Sequence, residues 1–249
     1  SKRFPKWAAV ILNYINGAGT AADDAAAVED PLVYQLLCSH SIGAIHLLVF
    51  VRQTLANNIS QVIMSKVPTG TKVLGVVQTN KGAVGCTFLL GGCERICFIA
   101  CHLNARAERV TRRERDFATI YAGISADQQE KMDVQMVDNI DHIFWIGDLN
   151  YRTEMVDDHT KRSFMNTKTE FDTVCRLAAE EKWEKLMAWD QLRREMGAGS
   201  IFAGFEEHPI EFAPTYRMIK NKFRAYGLKN PTRFQAPSYC DRILWHSVS

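Results

Sequence analysis

The sequence predicts an α/β fold built as one domain, and three observations predict it. Its 249 residues, 47% hydrophobic and 23% charged, are enough to bury one large core. In the first half, apolar runs separated by Gly, Asn and Pro follow one another as successive strands do. In the second half, segments of mixed charge carry apolar residues at helical spacing.

Taken in order, residues 6–14 read as the tail of a helix, and 16–31, rich in Ala, Gly and Asp, as a solvated connection. The longest apolar run, 42–51, is interrupted by His46. It is about half the roughly 20 residues that a membrane helix requires, so it reads as a buried strand. Runs 72–78, 85–90 and 95–100 continue the strands. Residues 108–124 and 171–196 read as amphipathic helices, the second with Val174, Leu177 and Ala178 on one face. Between them 142–146 is a strand, and 210–212 and 242–245 supply short strands further on. No internal repeat of solenoid length occurs.

A formal net charge of +2 excludes a general polyanion binder, so any preference for anions must come from a local cluster. Seven irregularly spaced cysteines without a signal-peptide pattern favour reduced thiols in a cytoplasmic setting. The chain opens at Ser1 and stops at Ser249, four residues after a strand-like run, and reads as an excised piece.

Cys93, Cys97, Cys101 and His102 suggest zinc, but 95–100 reads as a strand, where residues four apart lie roughly 13 Å from each other. Two thiolates each about 2.3 Å from one zinc cannot be that distant. A cysteine-dependent phosphatase needs an arginine six positions after the nucleophile. The residues at that offset are Ala44, Gly92, Ile99, Leu103, Ala107, Glu181 and His246, so that route has no support. No Walker-type glycine loop is present either.

The stretch FWIGDLNYR (144–152) is more informative. Phe144, Trp145 and Ile146 bury a strand, Gly147 permits a tight turn, and Asp148 and Asn150 emerge on the same side. The carboxylate can deprotonate a water, and the amide can donate to an oxygen that gains charge in a transition state. An Asx-type turn is the plain alternative. Other strand ends carry matching groups: His102 and Asn104 in CHLNA, and Asn80 and Lys81 in TNKGA. From 216 to 242, Arg217, Lys220, Lys222, Arg224, Lys229, Arg233 and Arg242 stand against one acid, Asp241. Such a run is either a solvated loop or a pocket for clustered phosphates.

These residues resemble the inositol polyphosphate 5-phosphatases. FWIGDLNYR is similar to the family's WxGDxNYR element and QAPSYCDRIL (235–244) to its RxPSWCDRIL signature. TNKGA, CHLNA, RRERDF (112–117), DQLRRE (190–195) and FAPTYR (212–217) occur in the family's order. The resemblance implies a DNase I-like four-layer α/β/β/α sandwich with two packed mixed sheets. It implies hydrolysis of the 5-phosphate of phosphoinositides or soluble inositol polyphosphates by Mg2+-assisted in-line attack of water, at the cytosolic membrane face. By motif position, Asp148 activates water, Asn150 donates to the transition state, His102 contacts the scissile phosphate and Asn104 lies beside it. Asn80 and Lys81 face the head group. Tyr216, Arg217 and Arg233 surround a neighbouring phosphate, expected to be the 4-phosphate, and Asp241, Arg242 and Arg152 support the site or its substrate.

The departures are also specific. Gln235 stands where many members have arginine, Cys101 replaces a serine, and Tyr239 replaces tryptophan. Members begin with a strand bearing an asparagine and a Gln-Glu pair whose glutamate binds Mg2+, and end with an Asp-His pair. Neither Gln129 and Glu130 nor His246 falls in the right place, so the principal metal ligand is expected upstream of Ser1 and the Asp-His pair beyond Ser249. A nuclease of the same fold and a phosphoinositide-binding module without turnover are the competing readings.

Overall fold

The computed structural model describes residues 4–17, 33–73, 76–132, 140–155, 167–222, 225–228 and 234–248. They fall into two compact units, the first drawn from 1–100, 120–144 and 247–249 and the second from 101–119 and 145–246.

The first unit contains helix α1 (Phe4–Gly17), strands β1 (Tyr34–Ile42) and β2 (Ile45–Arg52), the short helix α2 (Gln53–Ala56), and strands β3 (Ile59–Pro68), β4 (Lys72–Val73), β5 (Val76–Val77) and β6 (Gly82–Leu90). It also holds most of β7 (Glu94–His102), the second half of α3 (Val110–Met132) and the start of β8 (His142–Asp148). The strand expected at 42–51 is β2, which begins at Ile45, while Ile42 is the last residue of β1. Ile42 pairs with Ile45 across a turn in which Gly43 has φ +56°, which joins β1 and β2 as a hairpin. Asn16 ties the end of α1 to β1, its amide donating to Tyr34 O at 2.8 Å while Tyr34 N–H donates to Asn16 Oδ1 at 2.7 Å.

Strand β6 is the centre of this unit, buried from Gly82 to Phe88. A continuous buried run in place of alternation means that both of its faces are covered. On one face the Cys86 thiol meets Cys38 of β1, and the β1–β2 hairpin, with α1 against it, stacks there. On the other, Thr87 Oγ1 accepts from Gln128 Nε2 of α3 at 2.8 Å. Ile120, Ile124 and Gln128, four residues apart, form the buried stripe of that helix. The layers therefore run α1, β1–β2, the sheet containing β3, β6, β7 and β8, and α3, which is the α/β/β/α order expected.

In the second unit the ends of β7 and β8 continue beside β9 (Asp241–Ser247), with helices α4 (Lys168–Ala179), α5 (Trp183–Met187) and α6 (Gln191–Gly197). Strands β7 and β8 run parallel, because Asp141 N–H donates to Arg95 O at their starts and Leu103 N–H donates to Asp148 O at their ends. Strand β9 is antiparallel to β8, with Val248 N–H donating to Asp141 O and Leu149 N–H to Cys240 O. The one helix expected over 171–196 is three. Thr167 and Glu170 form a capping box that starts α4, Glu181 adopts φ +56° just after it ends, and Asp190 caps α6 by accepting from Arg193 N–H at 2.9 Å. The strand expected at 210–212 does not form. Ile210 is buried there without a ladder, packed in a cluster with Val174, Leu186 and Tyr239.

Trp145 is fully buried among Phe117, Phe202 and Phe205, with ring centroids 5.0, 5.2 and 6.3 Å away. Two residues on, Gly147 has φ +140°, and a Cβ there would lie 2.0 Å from Cys101 O. The two strand ends can approach only because this residue has no side chain. Gly147→Ala is expected to destabilise the protein by roughly 2 kcal/mol or more, read as a lower urea midpoint at constant m.

Candidate active site

The parallel strands β7 and β8 end side by side in the second unit, His102 being the last residue of one and Asp148 of the other. His102 Nε2 lies 3.1 Å from Asp148 Oδ2, and the side chains are 36% and 37% exposed. The pair is thus ordered yet open to a solute. Asp148 Oδ1 accepts from Asn150 N–H at 3.1 Å, and Asn150 has φ +57°, a conformation that a short polar side chain tolerates. The Asx-type turn and the reactive constellation are therefore one object.

Asn150 is buried, its Nδ2 donating to Leu103 O at 3.1 Å and its Oδ1 accepting from Arg152 Nη2 at 2.5 Å. Arg152 also donates through Nε to Asn150 O at 3.2 Å, and its guanidinium lies 4.1 Å from the centroid of the Tyr216 ring. Tyr216 OH donates to Gln235 Oε1 at 3.1 Å. One connected chain of contacts thus runs from His102 and Asp148 through Asn150 and Arg152 to Tyr216 and Gln235. Arg217, next along, is exposed. An open carboxylate–imidazole pair linked to an aromatic ring that is followed by an exposed guanidinium suits hydrolysis of a phosphate ester next to a second anion.

A model of the Endonuclease/Exonuclease/phosphatase family 2 matches residues 5–249. The chain belongs to this family. It is 33% identical over 221 residues to phosphatidylinositol 3,4,5-trisphosphate 5-phosphatase 2 of Mus musculus, covering 87% of this chain and 16% of that protein. It is 30% identical over 232 residues to type I inositol polyphosphate 5-phosphatase 2 of Arabidopsis thaliana, covering 88% of this chain and 32% of that one. The chain therefore spans a third or less of the length of these curated relatives. Among solved structures it resembles the inositol polyphosphate 5-phosphatase domain of SPsynaptojanin in complex with inositol (1,4)-bisphosphate and calcium ion. The TM-score is 0.76, with 26% identity, over 98% of this chain and 61% of that one. The DNase I-like fold expected from the sequence is the fold of this family member.

Within this member of the endonuclease/exonuclease/phosphatase family, several expected roles need correction. Arg242 is not placed to bind substrate. Its side chain is fully buried, donating to Asp190 Oδ1 at 2.9 Å and to Glu207 Oε1 at 2.7 Å. Burial by itself lowers its pKa, but the charges of Asp190 and Glu207 more than reverse this and hold it above the usual guanidinium range. Asn104 is buried, and its backbone N–H and side-chain Nδ2 both donate to the buried Asp116, at 2.9 and 2.7 Å. Asn150 braces the two strand ends rather than pointing outward, since it is buried against Leu103 O. Asp241 is exposed at the start of β9.

Asn80 and Lys81 belong to the first unit, in the turn between β5 and β6. Asn80 is exposed, and Lys81 O accepts from Thr69 N–H at 3.0 Å. Arg233 lies outside the described residues, as do Arg224 and Lys229.

The structure adds residues that the sequence reading left without a role. Arg113 is fully buried, 4.4 Å over the Tyr151 ring, and donates to Asn104 O, Arg106 O and, at 2.7 Å, Gln191 Oε1. Gln191 Oε1 accepts in turn from Arg152 N–H at 3.0 Å. Burial lowers the Arg113 pKa and raises that of the Tyr151 phenol. Their signal was the pair of motifs RRERDF and DQLRRE, quoted for their order alone. Beneath the site the Cys240 thiol is pushed up to about 12 by burial, which keeps it protonated and out of the chemistry.

Removing Arg242 strands two carboxylates. Arg242→Met is expected to cost roughly 3 to 5 kcal/mol, whereas Arg217→Ala should shift stability by no more than about 0.5 kcal/mol. Parallel urea titrations of the two variants test this, and equal losses would return Arg242 to the surface.

Proposed function

We propose that the protein hydrolyses the 5-phosphate of phosphoinositides such as PI(4,5)P2 or PI(3,4,5)P3, or of soluble inositol polyphosphates. The observation that carries this reading is the half-exposed His102–Asp148 pair at 3.1 Å, linked through Asn150 and Arg152 to Tyr216. The relatives' names and the inositol bisphosphate held by the SPsynaptojanin domain support the same substrate class.

In this reaction Asp148 takes a proton from a water whose oxygen attacks phosphorus in line. The bond from phosphorus to the inositol oxygen breaks, giving inorganic phosphate and an inositol oxygen that takes up a proton from solvent to become the hydroxyl, and Asp148 returns its proton to solvent. His102 orients Asp148 through Nε2 before substrate arrives and contacts a phosphoryl oxygen once it is bound. Arg152 fixes the Asn150 amide, and Asn150 N–H holds Asp148 Oδ1, so the base is positioned before substrate arrives. Tyr216 and Arg217 meet the adjacent 4-phosphate, with Gln235 behind Tyr216.

Mg2+ is the ion that the family resemblance calls for, and it supplies charge to the transferring phosphoryl group when bound. The described residues gather no cluster of three or more His, Cys, Asp or Glu, and Asp148 Oδ2 already faces His102. They do not make a divalent-metal site by themselves, so no step here is routed through the ion. The protein is proposed to work peripherally at the cytosolic membrane face. No described helix is long and apolar enough to cross a membrane.

Asp148→Asn should lower phosphate release by about 10²- to 10⁴-fold while leaving inositol-lipid binding near that of the wild type, because the substitution keeps the shape and removes the base. Malachite-green assays on PI(4,5)P2 and PI(3,4,5)P3, paired with a binding titration, read both quantities. Binding by the wild type without any turnover would favour a recognition module instead.

Gln235→Arg replaces the acceptor behind Tyr216 with a guanidinium and should strengthen the 4-phosphate subsite by about 1 to 3 kcal/mol. The gain should appear in kcat/KM for substrates phosphorylated at positions 4 and 5 and be small for those lacking the 4-phosphate. An equal change on both would place Gln235 outside this subsite.

A further inference from the structure

The hairpin that begins at Tyr216 carries a tip of a different character from its base. At the base, Tyr216 and Ser238 exchange both backbone hydrogen bonds, at 2.9 and 2.6 Å. Met218 then bridges Tyr226, Gly227 N–H donates to Arg217 O at 3.1 Å and Ile219 N–H to Ala225 O at 2.6 Å. Lys222 N–H closes the turn on Ile219 O at 3.1 Å, and Asn221 takes φ +61°. This is a hydrogen-bonded platform, yet Met218 and Ile219 on it are 42% and 37% exposed. Lys220 and Lys222 beside them are exposed too, as is Arg217 at the base. The sequence from 213 to 228 contains no acidic residue.

We propose that this tip docks on an anionic lipid bilayer, Met218 and Ile219 entering the headgroup boundary and Lys220 and Lys222 meeting the acidic lipid phosphates. The inference rests on the phosphoinositide reading above and assigns it a surface. The occupant follows from charge and composition. An apolar pair flanked by cations, in a stretch from 213 to 228 without an acidic residue, matches an apolar layer beneath a negative surface. Position agrees with it, since the hairpin base is Tyr216, whose ring lies under the Arg152 guanidinium that holds Asn150. A bilayer touching the tip would present its headgroups to the end of the second unit where His102 and Asp148 stand open.

Cosedimentation of the purified protein with phosphatidylcholine vesicles, with and without phosphatidylserine, tests this. The wild type should bind the anionic vesicles and only weakly the neutral ones. The double variant Met218→Ser with Ile219→Ser should lose affinity for anionic vesicles about tenfold, with hydrolysis of a soluble inositol polyphosphate unchanged. Lys220→Ala with Lys222→Ala should lose about tenfold or more and abolish the preference for phosphatidylserine. Vesicle binding unaltered in both variants, or absent in the wild type, overturns the proposal. Loss of a concentration-dependent dimer in the Ser variant with unchanged vesicle binding would overturn it in favour of a second copy. Failure of the wild type to release phosphate from any inositol substrate would count against the proposed reaction, while the vesicle measurement would stand independently.

Discussion

The close parallel approach of the ends of β7 and β8 is the constraint on which the rest of the site depends. Leu103 N–H donates to Asp148 O at 3.0 Å, and the Cys101 carbonyl occupies the space where any side chain at position 147 would sit. Parallel pairing places both C-terminal ends at the same edge, so two residues far apart in sequence, His102 and Asp148, arrive there together. An antiparallel pairing of the same two strands would have put them at opposite ends. The chemistry thus follows from strand direction first and from residue type second.

Beneath that edge lies a polar core that is unusual in its number of charges. Arg242 is enclosed with Asp190 and Glu207, Arg113 sits on Tyr151, and Gln191 takes donors from both Arg113 and Arg152. Burying a guanidinium costs several kcal/mol, which its ion pairs and hydrogen bonds offset. What the network contributes is placement: Asp190 caps α6, pairs with Arg242 of the second signature, and bridges through its backbone to Thr153, three residues after Asn150. The two signature motifs, separated by more than eighty residues of sequence, are held in one frame by these contacts together with their direct pairing, in which Leu149 N–H donates to Cys240 O at 2.7 Å.

The first unit solves a different problem. Strand β6 is covered on both faces, and its alternation assigns Cys86 to the hairpin side and Gly85 and Thr87 to the α3 side. Gly85 leaves room for Ile124, which would lie 3.2 Å from a Cβ there, while Thr87 accepts from the buried Gln128 Nε2. That is how a strand without any charged residue can sit between two layers without a stranded donor at its centre.

Much of this was legible in the sequence for a simple reason. Apolar period, glycine at turns and short motifs are local properties, and local properties survive in a one-dimensional reading. The strands at 85–90, 95–100 and 142–146, the helix beginning near 108, and Asp148 and His102 at strand ends all belong to that class. The strand boundary inside 42–51 did not, because only the two-residue turn at Gly43 and Ala44 separates Ile42, the last residue of β1, from the apolar run of β2. The helix at 171–196 breaks at Glu181 and Asp190, where a backbone angle and a cap decide and the hydrophobic pattern continues. Residue roles diverged most for long-range partners. A sequence shows that position 242 is arginine and cannot show that Asp190 and Glu207 enclose it. It shows asparagine at 104 and not that Asp116 accepts from both its backbone N–H and its side-chain amide. By itself the sequence determined which groups stand at strand ends. The tertiary structure alone decided which of them remain open to a phosphate and which are consumed in holding the frame, because burial and pairing depend on neighbours distant along the chain.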